Sequence, residues 1–109
     1  MSKKPLVEAP LIQFVWEFIA REDRLADFER YYSPAGAWAK LFEKNSGYAG
    51  TQLLRDSEKP RRYLTVDTWE NIEHYHAMRR KFAGEFERLD QACEEFTEVE
   101  RRIGAFEVR

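Results

Sequence analysis

The stretch RRYLTVDTWENIEHYHAMRR, from Arg61 to Arg80, changes its hydrophobic period halfway along. Its first half, YLTVDTW (63–69), alternates between two sets of side chains, and this alternation predicts a β-strand. Its second half has apolar residues three and four positions apart, which predicts an amphipathic helix with Asn71 as its cap. A strand that runs directly into a helix is therefore the unit around which the rest of the chain is arranged.

Two further strands are predicted before this unit. The segment YAGTQLLRD (48–56) is the predicted second strand, and the polar turn SEKPRR (57–62) joins it to the third strand in a hairpin. The segment LIQFVWEFIA (11–20) is the predicted first strand because it is rich in aromatic and β-branched residues. One of its faces is wholly apolar and consists of Ile12, Phe14, Trp16 and Phe18.

The region between the first two strands predicts a helix that is broken once. REDRLADFERYY (21–32) is helical, and a second start signal follows it. Ser33 can cap a new helix, Pro34 suits its first turn, and Gly36 makes the backbone flexible where this helix begins. Gly47 is the expected stop. We therefore expect a break near Ser33 and Pro34 instead of one continuous helix.

The helix after Asn71 contains one charge in an unusual place. Its spacing stays regular only if Arg79 lies between Tyr75 and Phe82 on the apolar stripe, so Arg79 is predicted to face the sheet. The segment TEVERRIGAFEV (97–108) predicts a fourth strand, with a bulge or close approach at Gly104. The apolar positions of the helix are Ile72, Tyr75, Phe82, Phe86, Leu89, Cys93 and Phe96.

The element order is strand, helix, strand, strand, helix, strand, which predicts an α+β fold of the ferredoxin-like, split βαβ type (βαββαβ). Residues 1–10 are expected to form a flexible arm, and residues 11–109 a single domain. Helices would cover one face of the sheet. The open face is expected to be apolar, and a homodimer packed sheet against sheet is the economical way to cover it. Its expected residues are Leu11, Val15, Ile19, Tyr63 and Trp69, or their alternates.

Composition narrows the function classes. Charged residues make up 35% of the chain, and the signs are mixed, with a net charge of -2, so nucleic-acid binding is not expected. No apolar run is long enough to span a membrane, and the N-terminal residues lack the apolar core of a signal peptide. The single Cys93 allows neither an internal disulfide nor a Cys-based metal site. These features predict a cytoplasmic protein, and the lack of a metal-ligand set and of a Gly-rich phosphate loop predicts that it binds no metal or flavin.

At this point the chain resembles a known family, the antibiotic biosynthesis monooxygenase-like domains of the dimeric α+β barrel superfamily. The segments that carry the resemblance span most of the chain after Leu11. The most specific part is a Gly-Tyr pair that opens the second strand, followed by a strand that ends in Trp before an amphipathic helix. The four segments are FERYYSPAGAWAKLF (28–42), GYAGTQLLRD (47–56), RYLTVDTWENIEHYHAMRRKF (62–82) and TEVERRIGAFEV (97–108).

The resemblance implies a ligand cavity between the sheet and the helices of each subunit. It also implies chemistry without metal or flavin, in which an ionised phenol gives an electron to dioxygen. Trp69 matches the Trp that such proteins place near the end of the third strand. The polar amide found near that Trp is absent here, because Thr65 and Asp67 occupy the matching positions. The haem-degrading members use an Asn, a helical Trp and a His, and this set is not found here, since Met78 lies near the place of the Trp. Haem degradation is therefore disfavoured, and no bound haem is expected.

Each candidate site residue has a structural alternative. Trp16 and Trp69 are either core residues or walls of a ligand pocket. His76 is either a surface residue paired with Glu73 or a general base that takes a phenol proton. Arg79 either pairs with a carboxylate such as Glu17 or Asp67, or holds the anion of a ligand.

The leading hypothesis is a small cofactor-independent monooxygenase that acts on an aromatic phenol or quinol-type substrate. His76 and Arg79 are its predicted catalytic residues. The alternative is a non-catalytic dimeric barrel that binds a small ligand or has a structural role. The predicted substrate-binding residues are Trp16, Trp38, Trp69, Tyr32 and Tyr75.

Overall fold

The computed structural model describes residues 10–109, which form a four-stranded antiparallel sheet with helices packed against it. The strand order is β2-β3-β1-β4, so the predicted ferredoxin-like α+β fold is confirmed. The arm expected over residues 1–10 lies outside the described residues except for residue 10. The elements are β1 Ile12–Ala20, α1 Leu25–Tyr32, α2 Ala37–Phe42, β2 Tyr48–Arg55, β3 Arg62–Trp69, α3 Ile72–Lys81, α4 Ala83–Cys93 and β4 Thr97–Glu107.

The pairing register decides which side chains the helices cover. Strand β1 pairs with β3 so that Ile12 lies opposite Trp69 and Phe18 lies opposite Tyr63. Residues directly opposite each other share a face of the sheet. The prediction that Tyr63 and Trp69 lie on the open face is therefore wrong. They are 1% and 0% exposed, because they lie on the same face as the aromatic residues of β1.

The other face of the sheet carries the expected apolar side chains, together with polar and charged ones. Three of its large side chains, Leu54, Val99 and Phe106, are 46%, 43% and 48% exposed. The buried carboxylate of Glu17 lies among them and forms ion pairs of 2.6 Å with Arg62 and 2.7 Å with Arg101. The other apolar side chains on this face, by register, are Val15, Ile19, Leu64 and Val66.

The predicted break at Ser33-Pro34 is confirmed, but Ser33 plays a different part in it. The N–H of Ser33 still donates to the carbonyl of Glu29 at 3.0 Å, so Ser33 ends α1. The next helix, α2, begins at Ala37 with Gly36 as its cap residue and with no side-chain cap. A Cβ added at Gly36 would lie 2.5 Å from two backbone carbonyl oxygens of α1, so only glycine fits there.

Helix α2 ends at Phe42, before the expected stop at Gly47. The glycine is required for a different reason, because a Cβ at this position would lie 2.1 Å from Cγ of His74. His74 is half-buried against Gly47 and is not a fully solvated side chain. Asn71 does cap α3 as predicted, since its Oδ1 accepts from the N–H of His74 at 2.9 Å.

The long helix predicted after Asn71 is two helices. Phe82 separates α3 from α4 and has non-helical backbone angles of φ -115 and ψ 30. The core position predicted for Arg79 belongs to Met78, which is 0% exposed, while Arg79 is exposed and only borders the cavity between the helices and the sheet. Residues 72, 75 and 78 also keep helical spacing, and burying a Met avoids the cost of desolvating a guanidinium.

The bulge predicted at Gly104 is present. Val15 pairs with Gly104 and Trp16 pairs with Arg102, which leaves Ile103 outside the pairing. Within residues 10–109, none of the helices is long and apolar enough to cross a membrane.

Candidate functional site

A cavity of ≈ 270 Å³ lies between the covered face of the sheet and the helices. Its walls are mainly aromatic and include Phe14, Trp16, Trp38, Tyr75 and Phe86. A largely aromatic enclosure with a few polar groups is typical of a small-molecule site. The polar and charged side chains in the lining are Thr51, Thr65, Asp67, Arg79, Asp90 and Glu100.

Arg79 contributes a positive charge to this cavity. Its Nη1 donates to the hydroxyl of Tyr75 at 3.1 Å, and its guanidinium carbon lies 4.0 Å from the centre of the Phe86 ring. Within residues 10–109 no carboxylate lies within ion-pair distance of it. Glu17, one predicted partner, lies on the opposite face of the sheet. Because the Tyr75 oxygen accepts from Arg79, its own O–H remains available to donate to a ligand.

Asp67 contributes a carboxylate from strand β3 to the cavity. In the pairing register it lies between Phe14 of β1 and Thr51 of β2. The hydroxyl of Thr51 donates to Asp67 Oδ1 at 2.5 Å. Desolvation by the surrounding walls raises the pKa of Asp67 from 3.8 to about 6, although the bond from Thr51 acts in the opposite direction.

A tyrosine hydroxyl extends this hydrogen-bond chain. Tyr48 lies 2.5 Å from Thr51, oxygen to oxygen. Thr51 has a single proton, which it gives to Asp67, so Tyr48 must be the donor to Thr51. Burial raises the pKa of Tyr48, which keeps its hydroxyl protonated over the ordinary pH range. The order of donation is therefore Tyr48 to Thr51 to Asp67.

Trp38 lines the cavity with its indole ring. Its Nε1 is buried beside the Tyr32 hydroxyl and the Cys93 thiol, without a well-formed hydrogen bond among residues 10–109. Burial also raises the pKa of the neighbouring Tyr32 hydroxyl, so Tyr32 presents a neutral phenol.

The cavity lining also includes two exposed carboxylates, those of Asp90 of α4 and Glu100 of β4. The pKa of Glu100 is raised by desolvation and then by the negative charges of Asp90 and Glu94. Arg79 is thus the cation of a cavity whose other charged groups are carboxylates.

The structure brings most of the predicted site residues together. Of the substrate-binding set, Trp16, Trp38, Tyr32 and Tyr75 line the cavity, and so does Arg79 of the catalytic pair. Their roles stay predictions. Trp69 is absent from the lining and is fully buried behind it, with ring centroids 5.6 Å from Phe42, 5.4 Å from Tyr48 and 5.8 Å from Tyr75.

His76, the other predicted catalytic residue, is exposed and does not line the cavity. Its ring stands edge-on to the ring of Tyr75, with centroids 5.8 Å apart. The sequence did not single out Thr51 and Tyr48, and it treated Asp67 as a partner for Arg79 and as a residue at the place of the family's amide. The pairing of β2 with β3, which places Thr51 opposite Asp67, is the signal that brings these residues together.

A second depression, of ≈ 490 Å³, lies on the outside of the helices between α2 and α4. It is larger but shallow, and the exposed ion pair between Lys44 and Glu85, at 2.7 Å, lies in its lining. It contains no buried polar group, so we place the site in the aromatic cavity. Within the described part of the chain, no three His, Cys, Asp or Glu side chains converge to form a metal site.

No protein-family model and no curated protein matches the sequence. Solved structures do match it. SnoaB, a cofactor-independent oxygenase from Streptomyces nogalater, aligns with a TM-score of 0.75 at 21% identity, over 93% of this chain and 95% of that chain. A Bordetella bronchiseptica protein, provisionally named an antibiotic biosynthesis monooxygenase, aligns with a TM-score of 0.71 at 26% identity, over 92% and 98%.

A third protein, from Nitrosomonas europaea and with the same provisional name, aligns with a TM-score of 0.69 at 9% identity, over 95% of both chains. At these identities the likeness establishes the fold and leaves the reaction open. The resemblance that the sequence indicated is confirmed at this level: the chain has the fold of the antibiotic biosynthesis monooxygenase-like proteins.

Proposed function

We propose that this protein is a small cofactor-independent monooxygenase that acts on an aromatic phenol or quinol-type substrate. The observation that carries the proposal is the position of Arg79, a cation at an aromatic cavity with no carboxylate partner among residues 10–109. A guanidinium does not lose its proton, so an anionic ligand is its natural complement. The fold shared with a cofactor-independent oxygenase supports the same interpretation.

The aromatic walls suit a planar substrate. It would lie between Trp16 and Trp38, with its oxygen toward Arg79 and the free O–H of Tyr75. These donors stabilise negative charge on that oxygen, and charge on the substrate makes it a better electron donor to dioxygen. Trp69 would act from behind, by holding Tyr75 and Phe42 in place. His76 stays a predicted base, which would need to turn inward from the surface.

The reaction balances without an external reductant. A ring methylene that becomes a ketone loses four electrons, and dioxygen takes up four. One oxygen atom of dioxygen enters the product as the ketone oxygen. The other oxygen atom leaves as water together with the two hydrogens of the methylene. The protein's part is to bind, orient and ionise the substrate and to keep bulk water away from it.

The proposal includes a homodimer in the cytoplasm. The open face of the sheet exposes Leu54, Val99 and Phe106, and a second copy packed against it would bury them. The ion-paired Glu17 lies in the middle of this face and would be shielded further. A cytoplasmic location agrees with a sole cysteine, Cys93, that is buried and free.

The test uses dithranol, a planar three-ring phenol with an activated ring methylene. Protein with dithranol under isotopically labelled dioxygen should give the anthraquinone with one labelled oxygen, faster than the autoxidation measured without protein. Thr65→Leu should slow this reaction, since Thr65 lines the cavity. Thr68→Leu, the same change on the opposite face of β3, is the control. Equal rates with and without wild-type protein would refute the proposal.

A further inference from the structure

Asp67 is a carboxylate for which the proposed function has so far given no use. It lines the aromatic cavity from the covered face of β3. Its neighbours across the strands are the apolar Phe14 and the hydroxyl of Thr51. The desolvation of a half-buried carboxylate in such a place is costly unless a charged partner or a ligand compensates for it. The partner it has is neutral, because no Arg or Lys among residues 10–109 forms an ion pair with it.

The two oxygens of Asp67 differ in their surroundings. Oδ1 accepts from Thr51, and Thr51 is itself held by the donated bond from Tyr48. Among the described residues, no donor reaches the second oxygen, Oδ2. The chain from Tyr48 therefore fixes the orientation of the carboxylate and leaves one oxygen available to a ligand in the cavity.

We propose that Asp67 is the catalytic base, and that its Oδ2 takes the proton whose loss turns the substrate into its aromatic anion. The inference rests on the proposed function and names the residue that starts it. A C–H bond of the ring methylene breaks, its electron pair stays on the substrate, and a new O–H bond forms on Asp67. The negative charge moves from Asp67 to the substrate oxygen, which Arg79 and Tyr75 stabilise.

Arg79 lies where it can stabilise the negative charge that the substrate gains when it gives its proton to Asp67. Asp67 belongs to the sheet, whereas Arg79 belongs to α3 and is bonded to Tyr75 at 3.1 Å. A substrate that lies between sheet and helix can give its proton to one side while its developing charge meets the cation on the other. Phe14 of β1 stacks on Tyr75 of α3, with ring centroids 4.2 Å apart, so the sheet and the helix are in contact beside the cavity.

The pKa of Asp67 agrees with this role. Burial raises it to about 6, which makes the carboxylate a better proton acceptor while it stays mostly ionised at neutral pH. The other titratable or charged groups that line the cavity are Tyr32, Tyr75, Arg79, Asp90 and Glu100. Glu100 also has a raised pKa, so a pH profile must distinguish it from Asp67. A substitution at Thr51 makes that distinction, because the Thr51 hydroxyl donates a hydrogen bond to Asp67 and not to Glu100.

The test measures proton abstraction by itself, without oxygen chemistry. Dithranol is incubated with the protein in heavy water under strictly anaerobic conditions, and loss of its methylene protons is followed by NMR. Wild-type protein should accelerate the exchange, with a rate that rises with pH through about 6 as Asp67 ionises. Asp67→Asn should lower the rate by about 100-fold or more, since the amide is not a base.

Two further variants separate a base from a structural carboxylate. Thr51→Val removes a hydrogen bond that favours the ionised carboxylate, so the midpoint of the pH profile should move to higher pH. Thr68→Val, the same change on the opposite face of the sheet, should leave the midpoint where it is. If Asp67→Asn does not fold, as judged by thermal melting, the shift in Thr51→Val decides the matter.

The outcomes separate this inference from the proposed function. If Asp67→Asn is folded and exchanges as fast as wild type, or if only His76→Gln loses exchange, Asp67 is not the base. The oxygenase proposal then stands as long as wild type still oxidises dithranol. Oxidation without accelerated exchange would likewise overturn the inference alone. If wild type neither accelerates exchange nor oxidises dithranol, both proposals fall.

Discussion

The guanidinium of Arg79 lies 4.0 Å from the centre of the Phe86 ring, so that helix α3 places its charge against an aromatic residue of helix α4. The only side-chain hydrogen bond that Arg79 makes among residues 10–109 is to Tyr75. A cation held by aromatic faces at a cavity, and not by a carboxylate, is available to a ligand.

Arg79→Met should therefore affect binding more than stability. No carboxylate is left unpaired, so the free energy of unfolding should change by about 1 kcal/mol or less, from the lost cation–π contact. Binding of the dithranol anion should weaken about 10-fold, because a charged hydrogen bond is lost. Thermal melting and Trp fluorescence titration measure the two effects. Arg80→Met, at an exposed neighbour outside the cavity lining, is the control.

The opposite pattern would count against an enzyme. If Arg79→Met melts at a much lower temperature than wild type, and neither form binds dithranol, the residue is structural. The alternative of a non-catalytic barrel would then be the better description.

Asp67→Asn should flatten the dependence of stability on pH. Burial raises the pKa of Asp67 above 3.8 to about 6, so folding favours the protonated form. The stabilisation of the fold by the protonated Asp67 is complete below pH 3.8 and is lost as the pH rises through about 6. The free energy of unfolding of Asp67→Asn, relative to that of wild type, should therefore rise by up to about 3 kcal/mol from acidic to neutral pH, as measured by urea unfolding.

Asp56→Asn is the control of opposite sign. The backbone N–H of Glu58 and the guanidinium of Arg62 hold the pKa of Asp56 below its usual value. The stabilisation by Asp56 is therefore present at neutral pH and is lost on acidification. If both variants changed with pH in the same direction, the assignment of a raised pKa to Asp67 would be wrong.

A charge on the open face of the sheet should separate the proposed dimer. Wild-type protein at micromolar concentration should sediment at about twice 13.0 kDa. Leu54→Glu and Phe106→Glu place carboxylates on exposed apolar positions of that face and should give species near 13.0 kDa. Lys59→Glu, in the exposed turn between β2 and β3, should leave the dimer intact. A wild-type protein that sediments as a monomer would contradict the dimer.

Two glycines should respond in opposite ways to alanine. Gly47→Ala forces a Cβ within 2.1 Å of the His74 ring, so it should destabilise the protein by roughly 1–3 kcal/mol. Gly84→Ala adds a Cβ that meets only Arg88 at 3.5 Å inside α4, and it should stabilise the helix by about 0.5–1 kcal/mol. Thermal melting of both variants compares them directly. A neutral Gly47→Ala would mean that α3 does not pack so closely on this turn.

Local signals in the sequence were sufficient for the elements and their order. The alternation of YLTVDTW (63–69) and the cap at Asn71 act within a few residues, so they predicted β3 and the start of α3 correctly. The Ser33-Pro34 break was likewise predictable, because proline restricts the backbone next to it. The element order then led to the ferredoxin-like fold.

The contents of the cavity depend on contacts between distant segments. Helical periodicity cannot tell whether Met78 or Arg79 is the buried residue, since both spacings fit. Met78 is the buried one because burying a guanidinium would cost more in desolvation. The base predicted at His76 lies on the surface for a similar reason, because a helix rotated to bury Met78 turns position 76 outward.

The sequence by itself determined the strands, the helices and the aromatic character of the interior, because propensity and period are properties of neighbouring residues. Only the tertiary structure decided that Asp67 lies between Phe14 and Thr51, with Arg79 across the cavity. Strand register sets that arrangement, and a shift of one residue would have turned Asp67 to the open face. Register depends on how three separate strands pair, and no single segment of the chain encodes it.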